Sequence, residues 1–170
     1  GGCHPLGALS GRAGVGGMKF IVLSDLHLGP PGAAVNGLDP AARLAAAVAV
    51  INRDHANADF VAIAGDLADQ GEVAAYEVLR DTLAHLTVPC HITLGNHDRA
   101  DAFLSVFGAR LADPEARGSR VIDHDGYRVI LLDTTTPGTH AGALCAGRRD
   151  WLAARLDEAM DRPVIVIMHH

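Results

Sequence analysis

The sequence predicts an α/β protein in which short buried strands alternate with amphipathic helices. Six short runs are rich in apolar and β-branched residues, as expected of strands that are buried on both faces. Between most of them lie segments whose apolar residues recur at helical spacing. Such alternation implies right-handed βαβ units and a largely parallel sheet. The predicted strands are 19–24, 60–64, 90–94, 121–124, 127–132 and 164–168.

The first half of the chain contains two predicted strand–helix units. The first strand, 19–24, is followed by a Gly/Pro loop and then by a helix over 39–53. This helix opens on an Asp-Pro pair, which is typical of an N-cap followed by proline in the first turn. The second strand, 60–64, is followed by a helix over 72–85.

The second half adds a predicted hairpin. The third strand leads to a short helix at 100–107. The pair Asp125-Gly126 separates the fourth and fifth strands and is a strong signal for a hairpin turn, so part of the sheet should be antiparallel. A Gly/Thr-rich loop and a helix at 148–160 then precede the sixth strand.

Composition limits the partners of the protein. The formal net charge of −6 argues against nucleic acid or an anionic membrane as the main partner, because both require a basic face. The three cysteines show no CxxC spacing, which favours a reduced, cytoplasmic setting over a disulfide framework. The apolar runs are far shorter than the ~20 residues of a membrane span.

The chain divides into two expected parts. Residues 1–17 are glycine-rich and are expected to be a disordered leader or upstream read-through, and residues 18–170 form the domain. The sequence stops directly after the sixth strand. We therefore expect a domain that is incomplete at its C-terminus.

Polar residues gather directly after four of the predicted strands. In open α/β sheets ligands bind beyond the carboxyl ends of the strands, so these residues should converge. A single histidine is more often a surface residue, and a single Gly-Asp pair is more often a turn. Four clusters in phase with four strand ends favour a joint site. The clusters are Asp25 and His27, Asp66, Asn96 with His97 and Asp98, and His169 with His170.

These residue types suit one task. Carboxylates, an amide oxygen and imidazoles form a mixed oxygen and nitrogen set that suits Zn, Mn, Fe or Co. On an extended segment Asp25 and His27 would point to the same side and could bind one ion. Asp66 has two oxygens and could bridge two ions. Gly65 and Gly95 each precede a candidate ligand, where a close backbone approach would leave no room for a Cβ.

The motifs resemble those of a known family. Asp25-Leu26-His27, Gly65-Asp66, Gly95-Asn96-His97-Asp98 and Met168-His169-His170 are similar to the ordered DxH, GD, GNHD and HH motifs of calcineurin-like metallophosphoesterases. The resemblance implies an αββα sandwich of mixed β-sheets flanked by helices. The segment GDLADQGEVAAYEVLRDTL and the Gly/Thr loop look like those of class III cyclic-nucleotide phosphodiesterases and bacterial glycerophosphodiesterases.

The resemblance also implies a role for each residue. Asp25, His27 and Asp66 would hold one divalent ion, and Asp66, Asn96 and His169 a second. His97 would not bind metal but would contact the phosphate, as would Asn96, or protonate the leaving oxygen. Asp98 would orient His97. His170 could support the site from behind. The family pattern ends in a GHxH motif that adds one histidine to each ion, and this sequence stops before it, so we expect the chain as it stands to have little activity.

The implied reaction is hydrolysis of a small phosphodiester, such as a 3',5'-cyclic nucleotide, by a hydroxide on the two metals. A glycerophosphodiesterase, another phosphoesterase of the superfamily or a metal-binding protein without catalysis are the alternatives. A Ser/Thr phosphatase would carry GDxVDRG and GNHE, whereas this chain has GDLADQG and GNHD. A nuclease would need a basic track for its strand. A homodimer of the full-length protein is left open.

Overall fold

The computed structural model describes residues 17–108 and 118–170. The predicted leader at 1–17 therefore lies, except for its last glycine, outside the described residues. Six strands and four helices alternate along the chain. They are β1 (Phe20–Leu23), α1 (Pro40–Asp54), β2 (Phe60–Ala64), α2 (Val73–Leu83), β3 (Cys90–Thr93), α3 (Ala100–Phe107), β4 (Arg120–His124), β5 (Tyr127–Leu132), α4 (Ala146–Asp157) and β6 (Val164–Met168).

The first sheet is parallel and has the order β1-β2-β3. All five residues of the central strand β2 are buried, as its uniformly apolar sequence predicts. Phe20 pairs with Phe60, and Ile63 pairs with Ile92, so the three strands end at one edge. The loops after this edge carry three of the four polar clusters.

Helices α1 to α3 cover the outer face of this sheet. Leu44, Val48 and Ile51 of α1 lie at helical spacing and are buried in the core cluster with Val61 and Ile63 of β2. The helix begins as predicted, because the Asp39 carboxylate accepts a hydrogen bond from the Ala42 N–H at 2.9 Å.

The second sheet has the order β4-β5-β6, with an antiparallel β4–β5 pair and a parallel β5–β6 pair. Asp125 and Gly126 form the predicted hairpin turn, with φ angles of 47° and 84°. The two sheets pack face to face. Phe60 and Ala62 of β2 share one buried cluster with Val129 and Leu131 of β5.

This architecture confirms the predicted fold class of mixed sheets flanked by helices. Alternation alone indicated one sheet, whereas the hairpin and β6 form a second sheet stacked on the first. Two helix ends also differ from the prediction. Hydrogen bonds from His85 to Thr82 and from Met160 to Asp157 tighten the last turns of α2 and α4, so both helices end two or three residues early.

Candidate metal centre

The polar clusters converge at the carboxyl edge of the strands, and the buried Asp66 lies at their centre. Its Oδ2 atom is 3.6 Å from Nε2 of His27 and 3.3 Å from Nε2 of His169. Nε2 of His27 is also 4.0 Å from Oδ1 of Asp25, and Nε2 of His169 is 3.2 Å from Oδ1 of Asn96. The predicted convergence of these five side chains is confirmed.

The backbone at Asp25 and His27 differs from the extended segment that we expected. Their φ angles are 55° and 45°, and that of Asp66 is 50°, so all three residues are left-handed. They make up three of the six non-glycine residues with positive φ in the described part of the chain. Asp, Asn and His tolerate this region better than most residues, and such conformations concentrate at functional sites.

Backbone hydrogen bonds hold these two turns against each other. The Asp25 N–H donates to the Gly65 carbonyl at 3.2 Å, and the His27 N–H donates to the Asp66 carbonyl at 2.9 Å. A Cβ on Gly95 would come within 2.2 Å of the Asp66 backbone nitrogen, and one on Gly65 within 2.7 Å of the His169 ring. The expectation that both glycines permit close approach is confirmed.

Hydrogen bonds fix the ring orientations of His27 and His169. Nδ1 of His169 donates to the Ala64 carbonyl at 2.8 Å, and Nδ1 of His27 donates to Oδ1 of Asp69 at 3.1 Å. Each ring therefore turns its Nε2 atom towards Asp66. Asp69 was not among the predicted site residues. Its position three residues after Asp66, in GDLAD, was the signal that could have indicated it.

The Asp66 carboxylate does not offer both of its oxygens equally. Oδ1 accepts a hydrogen bond from the His97 N–H at 2.9 Å, while Oδ2 faces the two imidazoles. A single oxygen is thus presented to both sides of the site, rather than one oxygen to each side as the sequence suggested.

His97 is held by Asp69 rather than by Asp98. Its Nδ1 donates to the Asp69 carbonyl at 2.7 Å, and its ring meets that of His27 edge-on with centroids 4.8 Å apart. This bond leaves Nε2 of His97 for another partner. The expected orienting contact from Asp98 is replaced by a backbone carbonyl, because Asp98 points away to other donors.

Asp98 instead ties the turn after β2 to the turn after β3. Its carboxylate accepts the N–H groups of Leu67 at 3.1 Å, Ala68 at 3.0 Å and Gly95 at 2.8 Å, and the Tyr76 hydroxyl at 3.0 Å. Burial raises the pKa of Asp98, while these four donors act to lower its pKa. Burial and the nearby Asp98 raise the pKa of Tyr76.

The loop after β5 completes the site with residues that the sequence did not indicate. Asn96 donates through Nδ2 to Nδ1 of His140 at 2.8 Å, and Oδ1 of Asn96 accepts from Nε2 of His170 at 3.1 Å. Thr134 holds the other nitrogen of His170 at 2.7 Å. His170 therefore links Thr134 to Asn96 by hydrogen bonds. His140 lies 44 residues from Asn96, and no local pattern predicts that contact.

Comparison with known proteins identifies the family. Residues 18–170 match the family described as calcineurin-like phosphoesterase. The chain belongs to this family. It is 41% identical over 156 residues to a probable cyclic nucleotide phosphodiesterase of Rhodopseudomonas palustris, covering 90% of this chain and 57% of the relative.

Two further relatives of this calcineurin-like phosphoesterase carry different names. A cAMP/cGMP dual specificity phosphodiesterase of Mycobacterium tuberculosis is 36% identical, with 89% of this chain and 49% of the relative covered. A glycerophosphodiester phosphodiesterase of Enterobacter lignolyticus is 30% identical, with 90% and 56% covered. The chain thus spans about half the length of the curated relatives that it matches.

The donor atoms of this family member fit divalent cations. Two groups have ligand atoms that all lie within 4.8 Å of one another: His27, Asp66 and His97, and Asp25, Asp66 and His169. Nε2 of His169, Oδ2 of Asp66 and Oδ1 of Asn96 lie close together, and Nδ1 of His169 donates to the Ala64 carbonyl, so this Nε2 atom can act as a ligand. A cation satisfies such a cluster of acceptors, and mixed oxygen and nitrogen donors suit first-row metals.

Two cavities of about 520 Å³ flank the site, and His97 lines both. One lies on the α1 side and is bounded by Asp25 and Asp69. The other lies between the turn after β3 and the loop that carries His140. A ligand centred on the site would therefore have room to extend to both sides of His97. In the described residues, no helix is long and apolar enough to cross a membrane.

Proposed function

We propose that the protein is a two-metal phosphodiesterase that hydrolyses a small phosphodiester such as a 3',5'-cyclic nucleotide. One observation carries the proposal: Oδ2 of the buried Asp66 lies 3.6 and 3.3 Å from two imidazole nitrogens whose rings are oriented by hydrogen bonds from behind. Asp25, His27 and Asp66 would hold one ion, and Asp66, Asn96 and His169 the other.

Divalent ions held there would supply Lewis acidity and an activated water. The residues of the chain would position the substrate around them. Oδ1 of Asn96 lies 3.2 Å from Nε2 of His169. Nδ2 of Asn96, which donates to His140, could donate to a phosphoryl oxygen instead. Such preformed donors stabilise charge that develops in the transition state.

His97 would deliver the proton to the leaving oxygen. Its Nδ1 is committed to the Asp69 carbonyl, so Nε2 is the atom that can exchange a proton with substrate. The ring also lines both cavities, which places it beside either ester arm. Asp98 would act indirectly by fixing the turn on which Asn96 and His97 lie.

The names of the relatives support a diester substrate. Those named above are cyclic nucleotide or glycerophosphodiester phosphodiesterases. A glycerophosphodiester is the second candidate, because the relatives that carry this name match over a similar share of the chain.

A comparison of diester and monoester hydrolysis tests the proposal. With Mn²⁺ we expect the full-length protein to hydrolyse bis-p-nitrophenyl phosphate and a 3',5'-cyclic nucleotide at least about tenfold faster than p-nitrophenyl phosphate, as expected of a site with room for two ester arms. Asp66→Asn should abolish turnover. Asp81→Asn, which alters an exposed surface pair with Arg80 away from both cavities, is the matched control. Hydrolysis of monoesters alone would overturn the proposal.

A further inference from the structure

The cavity on the α1 side joins the metal centre to a region with no assigned role. Asp25, His27, Asp69 and His97 line it at one end. The segment 35–44 lines it at the other end. Its volume of about 520 Å³ is within the range of cavities that enclose small ligands. A ligand bound at the carboxylates could therefore extend into this region without leaving the cavity.

The wall of this cavity is largely apolar and includes a hydrogen-bonded turn. Val35 and Leu38 exchange two backbone hydrogen bonds of 3.0 Å across the tight turn at Asn36 and Gly37. Leu38 is 51% exposed, although a leucine gains most when it is buried, and it faces the cavity that Leu44 also lines. A flat apolar group placed here would cover Leu38.

Arg43 is the cation of this cavity, and it has no structural task in the described part of the chain. The exposed arginines Arg53, Arg80 and Arg99 each pair with a nearby aspartate. The guanidinium of Arg43 has no ion pair or side-chain hydrogen bond to any residue that the structure describes. It also lies near the start of α1, where the helix dipole favours negative charge, so it does not serve the helix.

We propose that this cavity binds the base of a cyclic nucleotide and that Arg43 selects guanine. This inference rests on the proposed diesterase function. The guanidinium fork matches the two acceptors on one edge of guanine, O6 and N7, whereas adenine presents a donor at the first of these positions. The apolar wall with Leu38 contacts the face of the base. Asn36 also lines the cavity, and its amide could form hydrogen bonds with adenine. However, the tight turn at Asn36 and Gly37 already explains why asparagine occupies this position.

Kinetics with matched substrates test the selection. The parent protein should hydrolyse 3',5'-cyclic GMP with a higher kcat/KM than 3',5'-cyclic AMP. Arg43→Ala should reduce kcat/KM for the guanine substrate by about 10–100-fold more than for the adenine substrate, in the range expected of a bidentate base contact. Arg53→Ala, on the same helix, is the control and should leave the ratio as in the parent. A ratio unchanged by Arg43→Ala overturns the inference, and so does a preference for adenine that Asn36→Gly removes.

A nucleoside without phosphate separates this inference from the proposed function. Isothermal titration in EDTA should show tighter binding of guanosine than of adenosine, and Arg43→Ala should remove the difference. If bis-p-nitrophenyl phosphate is hydrolysed but guanosine does not bind preferentially, the base assignment is wrong and the diesterase assignment stands. If guanosine binds through Arg43 but no diester is hydrolysed, the function is wrong and the base site stands.

Discussion

The carboxylate of Asp98 joins the two turns that present Asp66 and Asn96, and its removal tests whether these turns depend on it. Asp98 accepts hydrogen bonds from the N–H groups of Leu67, Ala68 and Gly95 and from the Tyr76 hydroxyl. Leu67 and Ala68 are fully buried. In Asp98→Ala these donors would have no acceptor of equal strength.

The size of the loss follows from these contacts. A hydrogen bond to a charged acceptor contributes about 1.5–3 kcal/mol, and a buried donor left without a partner costs about 1–3 kcal/mol. The four bonds share one carboxylate, so their losses are not additive, and water can reach part of the site. We expect Asp98→Ala to lower the free energy of unfolding by about 3–5 kcal/mol, a large share of the ~5–15 kcal/mol typical of a domain.

Urea denaturation of the metal-free protein, followed by circular dichroism, measures this loss as a lower midpoint at unchanged slope. Tyr76→Phe removes one of the four donors and also the acceptor of the Arg99 N–H, so it should cost about 1–3 kcal/mol. Asp101→Ala is the matched control, because that side chain is 71% exposed and pairs at the surface. It should change stability by less than about 0.5 kcal/mol. Loss of less than about 1 kcal/mol in Asp98→Ala would refute the argument.

Three further predictions concern metal binding and acid stability. Asp66→Asn should lower the Mn²⁺ content per chain measured after dialysis, because its charge faces both positions, while His97→Ala should leave it nearly unchanged. An empty site in His97→Ala would make that residue a ligand. Asp69→Ala should weaken Mn²⁺ binding by about 10–100-fold in isothermal titration, as expected when the group that orients a ligand is removed; equal affinity would contradict this role. The hydrogen bond from Arg128 lowers the pKa of Asp123 to about 2, so its contribution is present above the unfolded pKa and is lost as pH falls through the folded one. In urea titrations Asp123→Asn should therefore cost less than about 1 kcal/mol near pH 6, because the Asp123 side chain is 46% exposed, and less still near pH 2, where the carboxyl is partly protonated; a difference that grows in acid would refute this.

The strands and the convergence of their polar residues were predictable from the sequence because both are local patterns. A buried strand such as β2 needs an unbroken apolar run, and a polar residue directly after it must lie at the sheet edge. The N-cap at Asp39 and the hairpin turn at Asp125 are also encoded by neighbouring residues. The cap and the turn each depend on residues that are neighbours in the sequence.

The remaining features depend on contacts between distant segments. β5 pairs with β6 in the second sheet. This pairing depends on which apolar faces meet in the folded chain, and the sequence of each strand by itself does not specify it. The partners of Asp98 lie up to 31 residues away, and His140 reaches Asn96 across 44 residues. The sequence suggested that the Asp98 carboxylate would orient the His97 ring. In the structure this carboxylate accepts hydrogen bonds from three backbone N–H groups instead.

The backbone conformation explains why the two turns of the centre carry short polar residues. Left-handed φ angles at Asp25, His27 and Asp66 cost of order 1–3 kcal/mol each. The segment after β1 stays beside the segment after β2 as far as the parallel bridge between Leu28 and Ala68. Within it, Asp25 and His27 both lie near Asp66 while Leu26 packs against the core. Glycine would adopt these angles without strain but would bring no donor atom to the centre. Aspartate and histidine combine tolerance of the left-handed region with a metal-binding atom, and the hydrogen bonds from the Asp25 and His27 N–H groups to Gly65 and Asp66 hold them in it.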